Sequence, residues 1–317
     1  MKNSKLRRKL IVACVNAKVF LGKPRLMLTF RIRLGRWPNV AAPRDYHEKM
    51  LWSKVFEKNP FYVRLSDKIL AKEYIKENFP DVACAKVQWS GVNMEDVPDH
   101  LLRERGLLKT NHGSSQIVKL PISPDKEAKT RKRVKRWLSR PYGQRKGEWA
   151  YRNIHRRLFI EEELSCTNKT DLLDFKFYTS GERVILVWVA RRDSNFKCQQ
   201  EWFLNRDGLG IPLYSTAGFP KGVLLPQEVF QQMIKLVERM AQGIENVRID
   251  FMRVGGTFYF SEYTFYSQGG FDFDTVDSPL VDDLGRKWRL NRTWYVQQLH
   301  GGLSKAYAEI LKTAEQN

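Results

Sequence analysis

Residues 247–264 read VRIDFMRVGGTFYFSEYT, and the fold is argued outward from them. Two strand-like runs, 247–253 and 257–263, flank Gly255-Gly256, which is the pattern of a tight β-hairpin. Alternation along a strand sends Arg248 and Asp250 to one face and Phe251 to the other. On the returning strand the same rule groups Tyr259 with Ser261, and Phe258, Phe260, Glu262 and Thr264 on the opposite face. Folded back in register, the hairpin brings Asp250 and Glu262 together. Two carboxylates beside a cation, among aromatic neighbours, are costly to hold unless something positive binds them. Mg²⁺ takes oxygen ligands, commonly one or two carboxylates plus substrate phosphates, so a magnesium–nucleotide site is one reading. An exposed hairpin with its charges in water is the other.

The totals narrow the choice. The chain has 317 residues, 42% of them hydrophobic and 12% aromatic, which describes a folded protein with a sizeable core. Its formal charge of +20 implies a polyanionic partner: nucleic acid, anionic lipid, nucleotide phosphates or an acidic glycan. Cys14, Cys84, Cys166 and Cys198 show neither CxxC nor Cys/His ligand spacing, so inert thiols in a reducing compartment are expected. The histidines are equally scattered, which argues against a zinc site. No apolar run is long enough to cross a bilayer. Basic residues crowd the start of the chain, and no acid occurs before Asp45. Interleaved with Leu26, Leu28, Phe30, Ile32 and Leu34, they read either as an interfacial segment for an anionic membrane or as a charged helix on the folded body.

The hairpin resembles the metal-binding hairpin of ATP-grasp ligases such as the D-alanine–D-alanine ligases. In those proteins R-x-D, a glycine turn and E-x-N follow one another; here Thr264 replaces the Asn. The continuation Phe265-Tyr266-Ser267-Gln268-Gly269-Gly270 is similar to the TupA-like ATP-grasp proteins of teichuronopeptide biosynthesis. Upstream, Glu48-Lys49-Met50-Leu51-Trp52-Ser53-Lys54, Asn59-Pro60-Phe61-Tyr62 and Asp67-Lys68-Ile69-Leu70-Ala71-Lys72 resemble the same family. So does Lys109-Thr110-Asn111-His112-Gly113-Ser114-Ser115, with Thr for Pro and a final Ser for Gly. A lysine leading into small residues suits phosphate, which it meets with a point charge and open backbone N–H groups. His112 reads as a hydrogen-bonding loop residue. Leu158-Phe159-Ile160-Glu161-Glu162-Glu163-Leu164 resembles the hinge strand, and Asp174-Phe175-Lys176-Phe177-Tyr178 a core strand of that family.

Residues 125–157 are strongly basic and carry Trp137, Tyr142, Trp149 and Tyr151 among the charges. They suit nucleic-acid phosphates and bases, a long anionic acceptor, or simple solvation. No nucleic-acid motif accompanies them, which disfavours the first.

The resemblance implies an α+β ATP-grasp fold with lid and core antiparallel sheets behind a helical, basic N-terminal part. The expected division is residues 1–82, a lid at 83–164, and a core at 165–317 with the metal hairpin and a C-terminal helix at 294–313. ATP and Mg²⁺ are the implied cofactors. Asp250, Glu262 and Thr264 would hold the metal. Lys72, Lys109, His112, Gly113, Ser114 and Lys176 would meet the phosphates, and residues Glu161, Glu162, Glu163 and Leu164 the adenosine. Arg248 and Lys176 would act on the transferring phosphoryl group, Arg248 also on an oxyanion. The implied reaction joins a carboxylate to an amine through an acylphosphate. The implied partners are ATP, an anionic glycan or uronic-acid acceptor, and an amine donor. The expected location is cytoplasmic, peripheral to the inner membrane face. A phosphotransferase using the same nucleotide site and a non-catalytic basic binding protein are the competing readings.

Overall fold

The computed structural model describes residues 2–164, 172–193, 197–211, 225–273 and 278–313, so Cys166 lies outside it. The basic start is helical. α1 (Lys2–Gly22) and α2 (Pro24–Leu34) are separated by Lys23, and Pro24 occupies the first turn of α2, where its missing N–H costs nothing. Three helices follow, α3 (Tyr46–Val55), α4 (Pro60–Ser66) and α5 (Lys68–Asn78). Each starts on a side-chain cap: Asp45 accepts from the Glu48 N–H, Asn59 from that of Phe61, and Asp67 from those of Ile69 and Leu70. Such caps satisfy N–H groups that the first helical turn leaves free.

The chain around Cys84 forms two short strands. β1 (Ala83–Cys84) and β2 (Val87–Gly91) belong to different sheets, because the chain crosses between them at Ala85-Lys86. α6 (Asp99–Arg103), β3 (Gly106–Thr110), β4 (Ile117–Leu120), α7 (Pro124–Leu138), α8 (Trp149–Arg152) and β5 (Leu158–Glu161) come next. β2 to β5 make a four-stranded antiparallel sheet in the order β2-β5-β3-β4. Leu102, Leu108, Val134 and Ile160 form its own small core with α6 and α7.

The rest of the chain supplies β6 (Leu173–Ser180), β7 (Arg183–Arg192), β8 (Cys198–Asn205), β9 (Gly210–Ile211), α9 (Gln227–Met240), β10 (Asn246–Val254) and β11 (Thr257–Thr264). α10 (Pro279–Lys287), α11 (Trp294–Gln297) and α12 (Gly302–Thr313) close it. The single C-terminal helix expected from 294 is therefore broken over residues 298–301, and helix resumes at Gly302, which takes a φ of 51°.

The larger sheet runs β1-β11-β10-β6-β7-β8-β9. It is antiparallel except at one edge, where β1 lies parallel to β11. That edge departs from the all-antiparallel expectation, and the reason is that the chain passes from the helices into the small sheet along it. The hairpin turn uses Gly255 and Gly256 at φ 55° and 88°, conformations that a β-branched residue resists. Phe175, Phe177, Phe251, Phe258 and Phe260 meet ring to ring beneath the sheet. All but the half-buried Phe258 are fully buried, and each of those rings contributes roughly 2 kcal/mol.

Candidate active site

The register of β10 on β11 pairs Asp250 with Glu262 and Arg248 with Thr264. It then shifts by one residue, so that Phe251 faces Phe260 and Met252 faces Tyr259. Ser261 is the extra residue of a β-bulge, which reverses the alternation on β11. Phe258 and Phe260 consequently join Phe251 in the core, and Tyr259 comes round to the Glu262 side. Strict alternation had put Phe260 with Glu262. Across the other edge of β10, Asp250 pairs with Lys176 of β6, so Glu262, Asp250 and Lys176 form one row over three strands.

A cavity of about 570 Å³ opens between the two sheets above this row. α5 contributes Lys68 and Lys72, β3 contributes Lys109, and the loop after β3 contributes Gly113 and Ser114. β5 and its end contribute Glu161, Glu162 and Leu164; the large sheet adds Lys176, Arg192, Met252 and Glu262. The volume suits a nucleotide.

Every lysine on this wall already has a carboxylate. Glu161 is 6% exposed and sits between Lys72, at 2.6 Å, and Lys109. Burial pushes the Glu161 carboxyl up, but Lys109 and Lys72 outweigh it and hold the group below its usual range. Lys176 reaches Asp174 at 2.7 Å and Asp250 at 3.3 Å, and Arg192 reaches Asp174 at 2.8 Å. Lys68 lies 3.1 Å from Glu262 and donates to the Gly113 carbonyl at 2.9 Å. Burial again raises the Glu262 pKa, yet Lys68, then Arg248 and Lys176, bring it down to about 2. The site is a set of cations aimed at one crevice and neutralised by acids.

Asp250 is 2% exposed and accepts two 2.7 Å hydrogen bonds from Arg248. Arg248 spends its other donors on Ser267 and on Thr264 Oγ1, at 3.3 Å for the latter. Its guanidinium therefore lies under the cavity floor, where direct contact with a substrate was expected. Thr264 is buried too, and its hydroxyl props Glu262 at 3.4 Å. Among the described residues no group of three or more His, Cys, Asp or Glu side chains is arranged to hold a metal. Two adjacent carboxylates, Glu262 on the cavity wall and Asp250 buried beside it, offer hard oxygen donors that fit Mg²⁺ nonetheless, because that ion takes its remaining ligands from phosphate and water.

Other expected residues are placed differently. His112 is fully buried, and burial, then Lys68 and Arg156, drop its pKa to about 4. It stands behind the loop, off the cavity wall. Glu162 faces the cavity while accepting a 2.7 Å bond from the Lys86 N–H. Glu163 turns away to Lys119 at 2.6 Å and Arg105 at 3.5 Å. Ser115 takes a φ of 59°, the conformation for which a glycine is the easier residue. At Gly113 a Cβ would fall 2.1 Å from Gln116 Oε1, so the absence of a side chain lets Gln116 fold under the loop. Lys68 and Asp174 were not singled out as site residues. The helical spacing of Lys68 and Lys72 was the only local signal for the first.

The upstream motifs brace the site from outside it. Lys49 donates to the Trp288 carbonyl at 2.6 Å, Trp52 Nε1 to Tyr307 at 2.9 Å, and Lys54 to the Gly269 carbonyl. Asp67 caps α5 and also accepts from Asn111 Nδ2 at 2.7 Å, which ties the phosphate-side loop to the helix carrying Lys68 and Lys72. The family described as TupA-like ATP-grasp matches residues 48–285, a span that runs from this bracing helix past the hairpin to Gly285.

The chain belongs to the TupA-like ATP-grasp family. A Cβ at Gly285, the last matched residue of this ATP-grasp chain, would lie 2.6 Å from the Tyr46 backbone nitrogen, so α10 meets the start of α3 only with glycine there. Solved structures match the chain at low identity. A D-alanine–D-alanine ligase from Bacillus anthracis is 17% identical, with 63% of this chain and 57% of that one covered and a TM-score of 0.39. The ATP-grasp ligase PsnB, complexed with a phosphomimetic variant of its minimal precursor, Mg and ADP, is 16% identical over 75% and 66%, with a TM-score of 0.42. An ATP-grasp ligase associated with RiPPs from Chryseobacterium gregarium, in complex with ADP and a leader and core peptide, is 12% identical over 82% and 63%, at 0.37. The chain thus spans between 57% and 66% of the length of these three structures. No curated protein matches it.

Proposed function

We propose that this ATP-grasp protein is an ATP- and Mg²⁺-dependent ligase that joins a carboxylate to an amine through an acylphosphate. The observation carrying the reading is the convergence of Lys72, Lys109, Lys176 and Glu262 on one cavity between two sheets, with Asp250 paired to Glu262 beside it. Lys72 and Lys109 would leave Glu161 for the phosphates, and Lys176 would leave Asp174 for the transferring group. Leu164 and Met252 would flank the adenine, with Glu162 beside it. Arg248 positions Asp250. Mg²⁺ held by Asp250 and Glu262 would neutralise phosphate charge.

The acceptor carboxylate oxygen attacks the γ-phosphorus, and the bond to ADP breaks. The amine nitrogen then attacks the acyl carbon, phosphate leaves with the C–O bond, and the ammonium proton goes to solvent. No protein nucleophile is needed. The family resemblance and the +20 charge support a uronic acid of a cell-surface polysaccharide, or of its precursor, as acceptor and an amino acid or other amine as donor. Leu6, Leu10, Leu28 and Ile32 are exposed among the lysines and arginines of α1 and α2, which supports attachment to an anionic lipid surface on the cytoplasmic side. No helix among the described residues is long and apolar enough to cross a membrane.

The deciding experiment measures ADP and phosphate release with a panel of uronic acids, with and without amino acids. Release that requires both substrates, and falls about 100-fold or more in Asp250→Asn, is expected. A phosphorylated sugar formed without the amine would replace the ligase by a phosphotransferase.

A further inference from the structure

A second concavity, of about 630 Å³, lies beside the first and is assigned no part in nucleotide binding. Arg136, Trp137 and Arg140 at the end of α7, with Tyr142, Arg145 and Lys146 beyond it, make its wall. No acidic side chain lines it. Gln116 belongs to both cavities. Tyr142 lies beside Ser114 of the loop after β3 and meets Tyr151 edge-on at 5.7 Å. The second cavity therefore opens on the loop end of the nucleotide cavity, where the terminal phosphate would lie.

Its cations differ from those of the first cavity. Lys68, Lys72, Lys109 and Lys176 are each paired with a carboxylate, whereas Arg136, Arg140 and Arg145 form no ion pair among the described residues. Their presentation is built in. The turn Gln144–Lys146 is bracketed by Gly143 and Gly147, both at φ 71°. A Cβ at Gly143 would stand 2.6 Å from Glu148 Cβ, and one at Gly147 2.8 Å from Leu26 Cδ1. The negative end of α7 is also covered, since the Leu138 carbonyl accepts from Arg156 Nε at 2.6 Å.

We propose that this cavity binds an acidic oligosaccharide, with its carboxylates on Arg136, Arg140 and Arg145 and a sugar ring against Trp137. Arginine forks match carboxylates two donors at a time. A sugar needs one open aromatic face. A single-stranded nucleic acid needs several in succession; here Arg133 already covers one face of Trp137, at 5.1 Å, and Tyr142 is packed on its edge. The fate of the bound acceptor rests on the ligase reading: the carboxylate nearest Ser114 is the one activated, and the cavity holds the neighbouring units of the chain.

The test titrates wild type, Arg136→Ala/Arg140→Ala and Arg145→Ala with oligogalacturonates of increasing length, their methyl esters, a single-stranded oligonucleotide and anionic vesicles. A non-hydrolysable ATP analogue with Mg²⁺ is titrated in parallel. Binding of the acid oligomer that tightens with length, weakens with salt and is absent for the ester is expected. It should fall about tenfold in the double variant while the ATP analogue binds unchanged. Equal affinity of wild type and variants for the acid oligomer overturns the proposal. So does tighter binding of the oligonucleotide or the vesicles that is lost in the same variants. Failure of the ATP analogue to bind wild type would sink the ligase reading alone, because the oligomer titrations still decide the cavity.

Discussion

Lys68 Nζ stands 3.1 Å from Glu262 Oε2, so the first residue of a helix completes the charge balance of a hairpin almost two hundred residues later in the chain. The same ammonium holds the Gly113 carbonyl, and so joins Glu262 to the loop after β3. Lys68→Met is expected to lower ADP release about 100-fold while circular dichroism and urea unfolding show a folded protein. Unchanged turnover would mean that Lys68 serves the ligand-free state only.

Glu161 is the shared counter-charge of Lys72 and Lys109. Glu161→Gln leaves Lys72 and Lys109 without a carboxylate, and a loss of about 3 kcal/mol in urea unfolding is expected. The same change removes the competitor of the phosphates. Saturating ATP should raise the melting temperature of the variant by more than it raises that of wild type. An equal or smaller rise would mean that the two lysines do not meet the nucleotide.

Asp67 caps α5 and anchors Asn111 at once. Asp67→Ala is expected to cost about 3 kcal/mol, from the lost cap and the stranded amide together. Because the loop loses its tether, ATP-analogue affinity measured by calorimetry should fall as well. Lost stability with full affinity would reduce Asp67 to a helix cap.

His112 gives the protein an acid-sensitive step. Its folded pKa of about 4 lies below the ordinary imidazole value of 6.5, so between those values the unfolded chain binds the extra proton. Stability contributed by the neutral ring is complete above pH 6.5 and is lost as the pH falls toward 4. From pH 6.5 to 5 wild type should lose about 2 kcal/mol more than His112→Gln in urea unfolding. Parallel losses in the two proteins would place the acid lability elsewhere.

How far the site was legible depended on the range of the interactions that make it. Asp250 and Glu262 face each other because a glycine turn and alternation are local rules, and both are written in residues 247–264. The faces of Phe258, Phe260 and Tyr259 were misread because the bulge at Ser261 has no signature in the side chains around it. Glu163 and Glu161 look alike in Glu161-Glu162-Glu163. One turns to Lys119 and the other to Lys72, which lies 89 residues before it.

The sequence by itself determined the hairpin, the order of the motifs and so the family, because these depend on neighbours and on spacing along the chain. Only the tertiary structure decided that Lys68 belongs to the site, that Arg248 supports Asp250 from below, and that Arg136, Arg140 and Arg145 share a cavity free of acids. Those facts turn on which charges meet across two sheets. Electrostatic pairing acts through space over a few ångströms, and nothing in the spacing of charges along a chain states which of them will come that close.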